Sequence, residues 1–136
     1  MGPTVRMWPG ANRRTLSTAE EQRTVMAAVG PVIPRLPQTK EVVIEIGDPV
    51  REGCSLAEAH RRRTEAAFPE LETPSFLPRR PPGSVCPSGL IKVDVDCIEE
   101  RTPGMGSWYQ FRGYSLSLLI SLEDGTIWDA RGDQAT

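Results

Sequence analysis

The chain has 136 residues and a mass of 15.0 kDa, which fits a single domain. A formal net charge of −2 and 38% apolar residues exclude both a membrane-embedded protein and an intrinsically disordered one. Proline is unusually frequent, with 13 residues. So many helix-breaking residues exclude a simple helical bundle and indicate short elements joined by rigid loops.

The N-terminal part predicts a loose segment followed by a helix. Two prolines interrupt residues 1–15, so we expect a flexible arm there, with Trp8 as the side chain best able to dock. Ser17 and Glu20 have the spacing of a capping box, in which the hydroxyl accepts from the N–H three residues on. A helix is therefore expected from Thr18 to Val29.

A strand and a second helix should follow. Val42, Ile44 and Ile46 share one face of an alternating segment, which predicts a half-buried strand from Glu41 to Ile46, ended by the Gly-Asp-Pro sequence after it. A second capping box begins at Ser55. The helix after it should run from Leu56 to Phe68, because the next residue is a proline.

Residues 69–89 contain six prolines, which predicts a long proline-rich loop. A structureless segment of about 20 residues is uncommon in a compact domain and is usually either functional or disordered. Phe76 and Leu77 are the residues in it that are best suited to anchor on a surface. We therefore interpret this segment as an assembly loop.

The C-terminal part predicts antiparallel strands. Apolar and polar residues alternate from Ile91 to Cys97 and again from Tyr114 to Leu122. Gly113 should mark a bulge or bend. Asp124-Gly125 is a strong hairpin signal, after which Thr126 to Trp128 should pair back.

Together these elements predict an α+β fold: a mostly antiparallel β-sheet or sandwich with two helices and the long proline-rich loop. No β–α–β repeat is evident in the pattern. A single domain should span residues 16–129, preceded by the flexible arm (1–15) and followed by a polar tail (130–136).

The sequence offers no catalytic, cofactor-binding or metal-binding motif. The three cysteines lack CxxC spacing, so we expect free thiols rather than disulfides or a zinc site. His60 lies in a run of arginines, which favours a solvated side chain over a general base. Asp94 and Asp96 should share one strand face, where a cation site and a solvated outer face are both open interpretations. We therefore expect a binding or assembly module that is not an enzyme.

Arginines supply the main basic cluster of the chain. They could contact the phosphates of RNA or anionic lipid head groups. Alternatively, part of the cluster is a solvated helix face with ion pairs four residues apart. The candidate contact residues are Arg61, Arg62, Arg63, Arg79 and Arg80.

A family resemblance rests on the order of several segments between about Val32 and Trp128. They are Val32-Ile33-Pro34, the strand Glu41–Ile46, the loop segment Phe76–Arg80, Ile91–Asp96, Trp108–Phe111 and Tyr114–Ile120. In this order the chain resembles the small matrix proteins of non-segmented negative-strand RNA viruses, most nearly the bornavirus and nyavirus type. The resemblance implies a β-rich core that self-associates into tetramers or lattices, lines the inner face of the envelope and contacts nucleocapsid or RNA.

On this resemblance we expect a non-enzymatic structural protein that bridges a membrane and nucleocapsid or RNA. Its arginine cluster would face lipid or RNA, and no small-molecule substrate or cofactor is expected. The sequence predicts neither a signal peptide nor a membrane-spanning helix, so we expect an intracellular protein that, if viral, lines the inner face of the envelope.

A second hypothesis comes from the slightly acidic composition and the lack of catalytic motifs. Both are typical of small intracellular inhibitors, such as toxin-immunity or phage anti-defence proteins. In this case the acidic residues Asp94, Asp96, Glu99 and Glu100 would dock into the basic cleft of a partner enzyme.

Overall fold

The computed structural model describes residues 2–9, 18–50, 87, 89–102 and 110–135. These residues form one α-helix, a short 3₁₀ turn and five strands. In chain order the elements are β1 (Thr4–Pro9), α1 (Ala19–Val29), the 3₁₀ turn (Ile33–Arg35), β2 (Glu41–Val50), β3 (Leu90–Thr102), β4 (Gln110–Ser121) and β5 (Ile127–Ala135). The predicted second helix and nearly all of the proline-rich loop lie outside the described residues.

The strands form one mixed sheet in which the spatial order follows the chain order, from β1 at one edge to β5 at the other. β1 and β2 are parallel, and the remaining neighbours are antiparallel. This confirms an α+β fold dominated by a sheet. The described residues contain one helix and one sheet, so the second helix and the sandwich are not confirmed.

The β1–α1–β2 unit corrects two predictions. It is a β–α–β unit, which the sequence pattern did not indicate, because parallel neighbours need a crossover and α1 provides it. Residues 4–9 form an edge strand instead of belonging to a flexible arm, with Val5 opposite Val42 and Met7 opposite Ile44. Edge strands tolerate proline at their ends, so Pro9 does not prevent the pairing.

The N-cap of α1 is Thr18 rather than Ser17. The Thr18 hydroxyl accepts a hydrogen bond from the N–H of Glu21 at 3.0 Å. Thr18 and Glu21 have the same spacing as Ser17 and Glu20, so the hydroxyl cap predicted at Ser17 forms one residue later. The helix ends at Val29 as predicted.

The hydrophobic core lies between α1 and one face of the sheet, which we call the first face. Its centre is a cross-strand row in which Ile44 lies opposite Val95 and Val95 lies opposite Leu116. Val25 and Val29 of α1 belong to the same cluster, and both are almost fully buried. Each aliphatic side chain buried in this way contributes about 1.5–3 kcal/mol. Packing thus occupies the first face and leaves the opposite one, the second face, to mixed polar and apolar residues.

Three β-bulges interrupt the regular pairing of the sheet. The first lies between Ile46 and Pro49 and lets β2 continue to Val50, beyond the predicted end of the strand. The second lies at Gly113, where the sequence predicted a bulge or bend. The extra residue is Glu99 of the facing strand β3, next to the pair of Ile98 and Gly113. A Cβ at Gly113 would overlap the backbone oxygen of Cys97, which explains the glycine there. The third adds Trp128 to β5.

The predicted Asp124-Gly125 hairpin is confirmed. Gly125 has a φ of +74°, and the Ser121 N–H donates to the Thr126 carbonyl at 2.8 Å. The returning strand continues to Ala135, so residues 130–135 are part of the sheet and not a polar tail. Pairing with β4 along this whole stretch supplies the order that the weak strand propensity of the segment does not predict.

Candidate functional site

The predicted contact residues lie outside the described part of the chain. This applies to the arginine cluster (Arg61, Arg62, Arg63, Arg79 and Arg80), to Phe76 and Leu77, and to His60. The described residues offer five other features that bear on function: the two sheet edges, a cleft, an acidic group on the second face and a buried thiol.

On the β1 side of the sheet, an ionic network joins three strands. The Glu41 carboxylate accepts hydrogen bonds from Nε and Nη2 of Arg101, at 2.8 and 2.7 Å, and Arg6 Nε lies 3.7 Å from it. The hydrogen bond from Arg101 holds the pKa of Glu41 below its ordinary value; the charges of Arg101 and Arg6 act in the same direction, and burial opposes them. A carboxylate held by a two-point guanidinium contact is a structural partner and a poor general base.

A cleft of about 460 Å³ opens where β1 begins. Arg112 lies in it and bridges Glu99 at 3.2 Å and Glu100 at 3.3 Å. The cleft also presents an exposed lysine, so it carries charges of both signs and does not concentrate either one. Its lining residues are Gly2, Pro3, Pro37, Gln38, Thr39, Lys40, Glu99 and Arg112.

The β5 side of the sheet is held by packing around a glycine and a bulge. A Cβ at Gly132 would come within 2.5 Å of the Tyr114 ring, so the ring covers the position that a side chain would take. Trp128 packs against Leu90 and Leu119 on the second face. Asp129 and Arg131 lie opposite Leu119 and Ser117 in the register and are half-buried. This edge strand is therefore ordered along its length.

The second face contains an acidic group. Asp94 and Asp96 share this face, as the alternation predicts, and the Ser115 hydroxyl donates to Asp96 at 3.0 Å. Glu45 lies directly opposite Asp94, a neighbour that sequence reasoning missed. The alternation of β2 already placed Glu45 on the outer face, but only the strand register reveals which residue it meets.

The sequence predicted that Glu99 and Glu100 would belong to the same acidic surface as Asp94 and Asp96, but they do not. The β3 bulge displaces Glu99 from the regular register, and both carboxylates pair with Arg112 at the end of the sheet. The predicted acidic surface is therefore divided into an acidic group of Glu45, Asp94 and Asp96 and a separate, compensated pair.

The Cys97 thiol is buried in the first-face core, with 1% of its surface exposed. Burial, and after it the charge of Asp96, raises the pKa of Cys97 to about 11. The reactive thiolate is thus scarce near neutral pH, and Cys97 is a core residue. The other two cysteines lie outside the described residues.

Among the described residues, no three or more His, Cys, Asp or Glu side chains are grouped closely enough to hold a metal ion. The one helix in this part of the chain is too short and too polar to span a bilayer.

Comparison of the chain with protein-family profiles, with curated proteins and with solved structures finds no match. The resemblance to small viral matrix proteins therefore stays a prediction from the sequence.

Proposed function

We propose that this chain is a non-enzymatic structural protein that assembles with copies of itself, in the manner of the small viral matrix proteins that it resembles. The observation that supports this most is the open sheet, whose order ends in β1 on one side and β5 on the other. Within the described residues no strand lies beyond either edge. An open edge carries backbone donors and acceptors that another chain can pair with.

The chemistry of the described side chains supports assembly over catalysis. Glu41 is held by Arg101, Asp96 accepts from Ser115, and Cys97 is buried with a raised pKa. Each of these groups makes a contact that stabilises the sheet, so each has a structural role that needs no substrate.

The membrane and RNA part of the proposal rests on the sequence. We assign contact with anionic lipid head groups or RNA phosphates to Arg61, Arg62, Arg63, Arg79 and Arg80, and contact with a neighbouring subunit to Phe76 and Leu77. Binding through phosphates should weaken steeply with salt, because each neutralised phosphate releases counterions.

Light scattering combined with co-sedimentation tests this function. The purified chain should give a mass above that of the monomer, and it should pellet with RNA or with vesicles containing phosphatidylserine at low salt. Vesicles of phosphatidylcholine alone are the control, and replacing the five arginines with serine should abolish pelleting while leaving the mass unchanged. A strict monomer that pellets with neither would contradict the proposal.

A specific observation favours a second candidate function. Glu45, Asp94 and Asp96 form an acidic group on the second face, which α1 does not cover, and such a group suits an inhibitor that docks on a basic enzyme cleft. Capture of one enzyme in a one-to-one complex, lost on Asp94→Lys with Asp96→Lys, would support this candidate. An unchanged complex would rule out the acidic group as the docking surface.

A further inference from the structure

We infer that β5 is the strand through which two copies pair, antiparallel and about a two-fold axis at Ala130, so that their sheets become continuous. The inference rests on the proposed self-association and names its surface and its partner, a second copy of this chain. It is carried by three observations: the difference between the two edges, the order of β5 and its charge pattern.

The two edge strands differ in how they resist pairing. β1 has six residues, follows Pro3 and ends at Pro9, and its Arg6 is drawn to Glu41. β5 has nine residues and contains neither proline nor lysine, and its bulge at Trp128 lies near its first residue. Proline and lysine are among the features with which edge strands avoid pairing with another chain. β5 is therefore the edge better suited to accept a partner strand.

The β5 strand is also held in place before any partner arrives. The Gly125 turn sets its start, and it pairs with β4 from Ile127 to Ala135, with one interruption at the Trp128 bulge. Tyr114 covers Gly132, the position where a strand without a side chain would otherwise be weakest. A preformed edge loses little conformational entropy when it pairs, which favours association.

The charges and the glycine of β5 together select the register. A two-fold axis at Arg131 would overlap the whole strand but place Arg131 against the partner's Arg131, and like charges directly opposite each other are destabilising. An axis at Gly132 would also place Arg131 opposite the partner's Asp133, but it would set glycine against glycine, with no side-chain contact at the centre. An axis at Ala130 places Asp129 opposite the partner's Arg131 and, by symmetry, Arg131 opposite the partner's Asp129.

Two charge reversals and their mixture test this register. Asp129→Arg makes the edge positive at both positions, and Arg131→Asp makes it negative at both. Each variant alone should dissociate, with a dimer Kd raised by at least about tenfold, because like charges then meet twice across the axis. An equimolar mixture should form a heterodimer, since every Arg of one chain then lies opposite an Asp of the other.

Sedimentation velocity over a range of protein concentrations measures these masses, with circular dichroism to check folding. Glu20→Arg and Arg23→Asp are charge-matched controls on the solvent-exposed side of α1 and should leave the dimer intact. If Asp129 and Arg131 acted only within their own chain, mixing the two variants would not restore the dimer. A dimer that returns on mixing therefore supports the proposed interface.

The contrary outcomes are distinguishable. Wild-type protein that is monomeric at every concentration would overturn the proposed function together with this inference. A wild-type oligomer that neither single variant weakens, or single variants that stay monomeric when mixed, would overturn the β5 pairing alone. Dissociation by Arg131→Asp with no effect of Asp129→Arg would overturn the axis at Ala130.

Discussion

The two edges of the sheet are built by different means. At the β1 edge, the crossover helix α1 places β1 parallel to β2, and the ion pairs of the Arg6–Glu41–Arg101 network on the second face stabilise this arrangement. At the β5 edge, a tight hairpin places β5 beside β4, and packing stabilises it: the Tyr114 ring covers Gly132, and Trp128 packs against Leu90. The difference favours β5 over β1 as the edge that pairs with another chain, because β1 lies between two prolines with its Arg6 drawn to Glu41, and among the described residues no strand lies beyond β5.

The largest effect should come from filling the space that Tyr114 occupies at the β5 edge. Gly132→Val would place side-chain atoms where the ring now lies, 2.5 Å from the new Cβ. Displacing a ring and the neighbouring Leu116 should lower the free energy of unfolding by about 2 kcal/mol.

The matched control is the same substitution near the β1 edge. A Cβ at Gly2 has nothing within 4 Å, so Gly2→Val should leave stability unchanged. Urea denaturation of both variants checks the comparison. Equal urea midpoints for Gly132→Val and Gly2→Val would contradict the view that packing around Gly132 stabilises β5.

A smaller effect is expected at the turn that begins β5. Gly125 has a φ of +74°, a conformation that residues with a Cβ rarely adopt. Gly125→Ala should therefore cost about 1 kcal/mol. Thermal unfolding should show a lower midpoint, and Gly125→Asn should recover part of it, because asparagine tolerates this backbone region better. An unchanged midpoint in Gly125→Ala would contradict the role of the turn.

The smallest effect should come from the β1 side and should depend on pH. Glu41→Gln removes the two-point contact with Arg101 and should cost about 0.5–1 kcal/mol near neutral pH, because the pair is partly exposed. The folded pKa of Glu41 is lowered, so its contribution is present above the unfolded pKa and lost as pH falls through the folded pKa.

Chemical denaturation at a series of pH values measures this dependence. The difference between wild type and Glu41→Gln should shrink in acid, as the carboxylate becomes protonated in both states. Glu100→Gln is the control, because Glu100 is 64% exposed in its contact with Arg112 and should change stability little. A wild-type advantage that persists at low pH would contradict the ionic account.

Strong local signals predicted much of this fold. The alternation in β3 and β4, the Asp124-Gly125 turn and the end of α1 at Val29 are all as expected, because burial on one face and positive φ leave clear patterns. Residues 4–9 and 130–135 are strands because they pair with β2 and β4, and not because of their own strand propensity. No local pattern could reveal that.

The site was less predictable than the fold. Glu45 meets Asp94, and Arg101 meets Glu41, through strand registers that join residues far apart in the chain. The sequence indicated that Asp94 and Asp96 share a face but not that Arg112 would compensate Glu99 and Glu100. The importance of the two edges follows from the spatial order of the strands, which periodicity does not encode.

Amide hydrogen exchange at low and high protein concentration tests the central claim most directly. If copies pair through β5, residues 127–135 should gain protection as the concentration rises, while residues 4–9 exchange at the same rate throughout. In Asp129→Arg the gain at β5 should disappear. Exchange at β5 that is independent of concentration, or protection gained at β1 instead, would contradict the account.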